Sequence, residues 1–179
     1  DSSDPNSFTF SIVTQPTNIT GTFDESASVT YSAGTFSKVV TYTHDGSETT
    51  SDSFTYKAND GADDSGNATA TITINPINDA PIITSSGSIS FAENNTTFIQ
   101  VDSDDDDVGD TPTYSITGGA DEGAFSIVSS SGALTFLSTP DFESPNDTNT
   151  DNTYIVQVRV TDGFYTDSQT ISITVINDN

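Results

Sequence analysis

Apolar and polar side chains alternate at period two through Phe8-Thr9-Phe10-Ser11-Ile12, Phe54-Thr55-Tyr56-Lys57-Ala58, Ile72-Thr73-Ile74, Tyr154-Ile155-Val156-Gln157-Val158-Arg159-Val160 and Ile171-Ser172-Ile173-Thr174-Val175. Successive side chains of a strand point to opposite faces, so each segment reads as a strand with one dry face and one wet face. The turn signals Asp45-Gly46, Gly118-Gly119, Ser131-Gly132 and Asp162-Gly163 separate the strands, and no segment carries a helical stripe. The expected fold class is all-β, made of short antiparallel strands packed as β-sandwiches. Low hydrophobicity with a net charge of −24 would by itself point to disorder, but the regular alternation argues against that.

The pattern occurs twice. Asp60-Gly61, Ala70-Thr71-Ile72-Thr73-Ile74 and Pro76-Ile77-Asn78-Asp79-Ala80-Pro81 follow one another in the first half. Asp162-Gly163, Thr170-Ile171-Ser172-Ile173-Thr174-Val175 and Ile176-Asn177-Asp178-Asn179 do so in the second. Each copy is a strand, a turn, a last strand and an Asn-Asp exit, which implies two tandem sandwich domains over residues 1–78 and 79–179. The connection near Asn78 to Pro81 is short and bounded by proline, hence semi-rigid at best.

Charge narrows the function. Residues 102–110 hold six aspartates: Asp102, Asp104, Asp105, Asp106, Asp107 and Asp110. Two carboxylates about 4 Å apart repel by about 1 kcal/mol in water and about 4 kcal/mol at an effective dielectric near 20. Such a loop is either fully solvated or built around a hard cation, and Ca2+ is the cation that takes six to eight oxygens. Against 27 acidic residues stand only Lys38, Lys57 and Arg159, so nucleic acid and an anionic membrane surface are excluded as partners. With no cysteine and one histidine, disulfides, thiolate chemistry and the usual zinc sets are excluded too. No apolar run is long enough to span a bilayer and no signal peptide precedes Asp1, so the expectation is an extracellular or cell-surface excerpt of a longer protein.

With these residues in view, residues 80–179 resemble a cadherin repeat in its bacterial, cadherin-like form. The resemblance rests on ordered motifs: Phe91-Ala92-Glu93-Asn94, Asp105-Asp106-Asp107-Val108-Gly109-Asp110 with Thr113-Tyr114-Ser115-Ile116, Pro140-Asp141-Phe142-Glu143, and Val160-Thr161-Asp162-Gly163. It implies two tandem Ig-like, cadherin-like domains with Ca2+ at the junctions between neighbouring domains. It further implies that Asn78 and Asp79 of the linker and Asp105, Asp107 and Asp162 of the second domain serve the junction inside this chain. A second set, Glu93, Asp141, Glu143, Asp178 and Asn179, would serve the far end and a further domain. Asp104 and Asp106 share the Asp-x-Asp spacing, so the register inside the run stays open.

The first half departs from the pattern. Asp1-Ser2-Ser3-Asp4 before Phe8-Thr9-Phe10 aligns with the aspartate loop of the second half, so that domain is expected to lack its first strand. Tyr42-Thr43-His44-Asp45-Gly46-Ser47-Glu48 resembles the chondroitin-sulfate-proteoglycan type of cadherin-like repeat. The resemblance implies Asp1 and Asp60 as ligands, with Asp52, then Asp45, then Glu48, as the first domain's contribution to the junction.

His44-Asp45-Gly46-Ser47 invites a hydrolase reading, but adjacent residues of one turn seldom converge as nucleophile, base and orienting acid. The acids cluster in ligand patterns rather than across a cleft, so no enzyme is expected. The expected function is a calcium-stiffened extender of a large surface or secreted protein, an adhesin-type stalk whose partners are neighbouring domains of its own chain. The alternatives are a polysaccharide-binding accessory module, with Phe164 and Tyr165 as the exposed aromatics, and homophilic adhesion to another cell-surface protein.

Overall fold

The computed structural model describes residues 7–95 and 97–178. The candidate ligands Asp1 and Asn179 lie outside the described residues. The chain divides into two compact units, Asp1–Ile77 and Asn78–Asn179.

The first unit contains β1 (Thr9–Thr14), β2 (Thr30–Ser32), β3 (Thr35–Ser37), β4 (Ser51–Asn59) and β5 (Ala68–Thr73). An antiparallel sheet runs β1-β4-β5, and β2 and β3 form a separate hairpin. The two turn residues of that hairpin, Ala33 and Gly34, both have positive φ (52° and 84°), the handedness that matches strand twist. Aromatic side chains do most of the packing: Phe8 stacks on Phe36 at 4.1 Å between centroids, and Phe23 meets Phe54 at 4.9 Å. Only Pro16, Phe23 and Asp52 are buried among the described residues of this unit.

The second unit contains β6 (Ile82–Ile83), β7 (Ser88–Ala92), β8 (Ile99–Gln100), β9 (Ser103–Asp104), β10 (Thr113–Gly118), β11 (Phe125–Ile127), β12 (Ala133–Phe136), β13 (Thr153–Thr161) and β14 (Thr166–Ile176). A single 3-10 turn spans Glu122–Ala124. One sheet runs β10-β13-β14-β7, a second β11-β12-β8, and β6 pairs with β9. The wet and dry faces follow the alternation: Tyr154, Val156, Val158 and Val160 of β13 and Ile171, Ile173 and Val175 of β14 all point inward, against Ile99, Val101, Phe125 and Leu134. The ring of Tyr154 stands at near right angles to those of Phe125 and Phe136. Gly132, at φ 71°, lies so close to β8 that a Cβ would sit 2.2 Å from the Val101 carbonyl oxygen, so no other residue fits there.

One pairing differs from the expected antiparallel scheme. β7 lies parallel to β14, from Ser88 opposite Ser172 to Ala92 opposite Ile176. The chain leaves β6, which is paired with β9, bends at Ser85–Gly87 and runs along β14 in the same direction. The Ser172 amide donates to the Gly87 carbonyl at 2.9 Å and pins the crossing.

The two units share a register. The Ile74 amide donates to the Thr50 carbonyl as the Val175 amide donates to that of Asn152. Counting from these bonds, β4 and β5 correspond to β13 and β14, and Asp60 corresponds to Asp162. β1 corresponds to β10, down to a shared irregularity between Ile12 and Thr14 and between Ile116 and Gly118.

Candidate metal centre

Three pieces of the second unit bring acids together: the leading segment Asn78 to Pro81, the loop between β9 and β10, and the turn between β13 and β14. Asp105, Asp110 and Asp162 each present a carboxylate oxygen within 4.8 Å of the others. Along the loop Asp105 and Asp107 are half-buried, whereas Asp102, Asp104 and Asp106 are exposed. The alternation therefore turns Asp105 and Asp107 towards the cluster. Gly109, at φ 103°, reverses the loop and returns Asp110 to it.

The leading segment is tied to the same place. Asn78 Nδ2 donates to Asp162 Oδ2 at 2.7 Å, and the Asp79 amide donates to Asp107 Oδ2 at 2.6 Å. Asp162 Oδ1 accepts from the amides of Phe164 (2.6 Å) and Tyr165 (2.7 Å) in the turn that Gly163 closes. Burial works against the charge of Asp162, but these bonds, led by that from Asn78, outweigh it and hold its pKa below the usual carboxylate range. Asp110 goes the other way. Desolvation, followed by the charges of Asp107, Asp105 and Asp162, raises its pKa.

All donors here are oxygens, several are anionic, and one carboxylate is held at a raised pKa by desolvation first and by the neighbouring carboxylates second: the residues fit a hard divalent cation such as Ca2+. The raised pKa of Asp110 means that its ionised form costs folding stability, a penalty absent below the ordinary carboxylate range and growing as pH rises through the folded-state value. Asp110→Asn should therefore raise the denaturation midpoint in chelator at neutral pH and shrink the shift produced by added calcium. Paired melts with and without chelator check both signs.

A second cluster stands elsewhere in the unit, with oxygens of Glu93, Asp141 and Glu143 within 4.8 Å of one another. Glu93 is only 3% exposed. Its Oε2 accepts from the Phe142 amide at 3.0 Å and its Oε1 from the Asp178 amide at 3.1 Å, and these bonds, Phe142 first, lower its pKa. Glu143 Oε1 accepts from Asn177 Nδ2, and Asp141 Oδ1 accepts from the Ser144 amide. Asp178 thus enters the cluster through its backbone.

The first unit looks different. Among its described residues no three acids converge. The buried carboxylate of Asp52 takes the amides of Thr17, Asn18 and Ser53 and the Tyr42 hydroxyl, a set that organises the 16–18 segment. Burial opposes its charge, but the amides, led by Asn18, prevail and lower its pKa. Asp60 accepts from the Ala62 and Asp63 amides, and Asp45 from that of Ser47, as in ordinary turns. His44 bonds Thr49 Oγ1 at 3.0 Å and accepts from the Gly46 amide, while Ser47 Oγ lies 3.2 Å from Thr49 Oγ1, so the turn is closed by its own polar groups.

Phe164 and Tyr165 are 83% and 51% exposed at the turn that bears Asp162. Asp110 is a cluster member that the ligand set implied by the resemblance does not include. Its only signal was Gly109 before it and a strand after it, since the Asp-x-Asp motif ends at Asp107.

No protein-family model and no curated protein sequence matches the chain. Solved structures do. Protocadherin gamma B2 extracellular cadherin domains 3-6 match at a TM-score of 0.65 with 23% identity, over 98% of this chain and 42% of that one. Human CDH23 EC21-23 matches at 0.66 with 17% identity, over 97% of this chain and 63% of that one. Human mucin-like protocadherin EC1-2 matches at 0.60 with 16% identity, over 97% and 86%. The chain thus spans under half of the protocadherin gamma B2 structure. Identities this low speak for shape alone: the chain has the all-β fold of tandem cadherin extracellular domains.

Proposed function

We propose that this chain is a calcium-stiffened extender segment of a surface-exposed or secreted protein. The observation that carries the reading is the convergence of Asp105, Asp110 and Asp162, with Asp110 at a raised pKa, beside a leading segment anchored through Asn78 and Asp79. Bound Ca2+ supplies the positive charge that turns mutually repelling carboxylates into shared ligands. The chain's own part is to hold the acids at one end of the second unit and to tether Asn78 and Asp79 to them, which restrains the segment joining the two units. The Glu93, Asp141 and Glu143 cluster does the same for a following domain. The resemblance to cadherin ectodomains supports an extracellular setting and an adhesive or spacer role.

Small-angle scattering in calcium and in chelator tests the proposal. The maximum dimension should be larger and more sharply defined in calcium. Identical scattering curves would overturn the stiffening role.

A further inference from the structure

Asp45-Gly46, Asp60-Gly61 and Asp162-Gly163 each place a glycine at positive φ directly after an aspartate. In such a pair the glycine nitrogen can attack the aspartate side-chain carbon, because no Cβ shields it. The attack needs a base for the amide proton and an acid for the departing oxygen. The three turns differ in what that amide proton meets. At Gly61 it meets Asn59 Oδ1 at 2.7 Å, an amide oxygen, and at Gly163 it meets Thr161 Oγ1 at 3.0 Å, a hydroxyl. Neither acceptor is basic. At Gly46 it meets a ring nitrogen, His44 Nδ1, at 3.3 Å.

The His44 ring is oriented for both tasks. With Nδ1 accepting, the neutral ring carries its proton on Nε2, where Thr49 Oγ1 lies at 3.0 Å and Asp45 Oδ1 at 3.5 Å. The Ser47 amide donates to the same Asp45 oxygen at 3.0 Å, which supports the negative charge that grows there as the carbon turns tetrahedral. The Ser47 side chain, and after it the Ser47 amide, lowers the pKa of Asp45, so the carboxyl starts ionised and a proton has to be delivered to it. Asp45 and Gly46 are exposed, so water has access. The other two aspartates are tied down. Asp60 Oδ1 holds the Ala62 and Asp63 amides, and both oxygens of Asp162 are engaged, one by Asn78 and one by the Phe164 and Tyr165 amides.

We propose that Asp45-Gly46 is a site of spontaneous backbone modification, in which His44 promotes closure of a succinimide that reopens to isoaspartate. His44 Nδ1 takes the Gly46 amide proton as the nitrogen bonds to Asp45 Cγ, and Nε2 gives its proton to Asp45 Oδ1. The ring is left as the other neutral tautomer. A second proton, from solvent, lets that oxygen leave as water. Water then adds to the Asp45 main-chain carbonyl carbon and breaks its bond to the Gly46 nitrogen. The chain now runs on through Cγ, and the turn is lengthened by one backbone carbon.

The experiment ages the full chain in neutral buffer and maps all three pairs by mass spectrometry. Succinimide is read as the loss of one water, and isoaspartate by electron-transfer fragmentation. Asp45 should convert roughly tenfold faster than Asp60 or Asp162, a modest share of what a positioned acid and base contribute. His44→Gln should remove that lead and leave the other two rates unchanged. Equal rates at the three pairs overturn the proposal, as does a lead that His44→Gln retains. Ageing the native chain in urea, where the turn is lost, gives an independent reading: the lead should vanish, and a lead that persists there overturns the role assigned to the folded turn.

Discussion

Asp162→Ala should remove most of the calcium response of the second unit. A ligand that binds only the folded state stabilises it by RT ln(1 + [L]/Kd), about 2.7 kcal/mol when free ion is a hundredfold above Kd. For a unit of this size that corresponds to a rise in melting temperature of roughly 10–20 °C. Asp162 is the residue on which the site turns: one oxygen holds Asn78, and the other orders the Phe164 and Tyr165 amides. Removing it frees the leading segment and takes one carboxylate from the three-acid group. Calcium melts of the native chain and of the variant check the result, with Asp106→Ala, an exposed acid outside the group, as the matched loss of charge. Equal calcium shifts in Asp162→Ala and the native chain would sink the assignment of this cluster as the principal site. The Glu93, Asp141 and Glu143 group would then be the one to mutate.

The strands were legible because a half-buried strand writes its geometry into side-chain order. Tyr154, Val156, Val158 and Val160 alternate in the sequence and are all buried in β13. Periodicity says which face a residue takes, not which strand lies beside it, so the parallel seat of β7 on β14 had no signal. The same limit governs the site. Glu93, Asp141, Glu143 and Asp162 stood out through motif order, and the fold gathers three of them into one group and the fourth into another. Asp110 did not stand out, because the reversal at Gly109 that returns it to Asp105 and Asp162 is a three-dimensional event. Asp52 shows the converse. Its place in the resemblance implied a ligand, while in the structure its oxygens are engaged by the Thr17, Asn18 and Ser53 amides.

Asp121→Ala should cost the second unit more than any other removal of a carboxylate outside the two clusters. No motif marks this residue, yet it is only 7% exposed, and it joins two parts of the unit that are distant in sequence. Its Oδ1 accepts from the Thr148 amide at 2.6 Å and its Oδ2 from the Ile155 amide at 2.8 Å, so it clips the 147–152 loop and the start of β13 to the turn before β11. Alanine strands both donors, and a buried donor without a partner costs about 1–3 kcal/mol. Asparagine keeps one acceptor and should lose less. The pH dependence separates this role from simple loss of packing. Burial disfavours the charge of Asp121, but the Ile155 and Thr148 amides prevail and lower its pKa. A carboxylate lowered on folding contributes stability that is present above its unfolded value and disappears as pH falls through the folded one. The gap between native chain and Asp121→Ala in urea midpoints should therefore be widest at neutral pH and narrow on acidification below the ordinary carboxylate range. A gap that is constant down to strongly acidic pH would mean that the side chain acts through its volume and not through its charge.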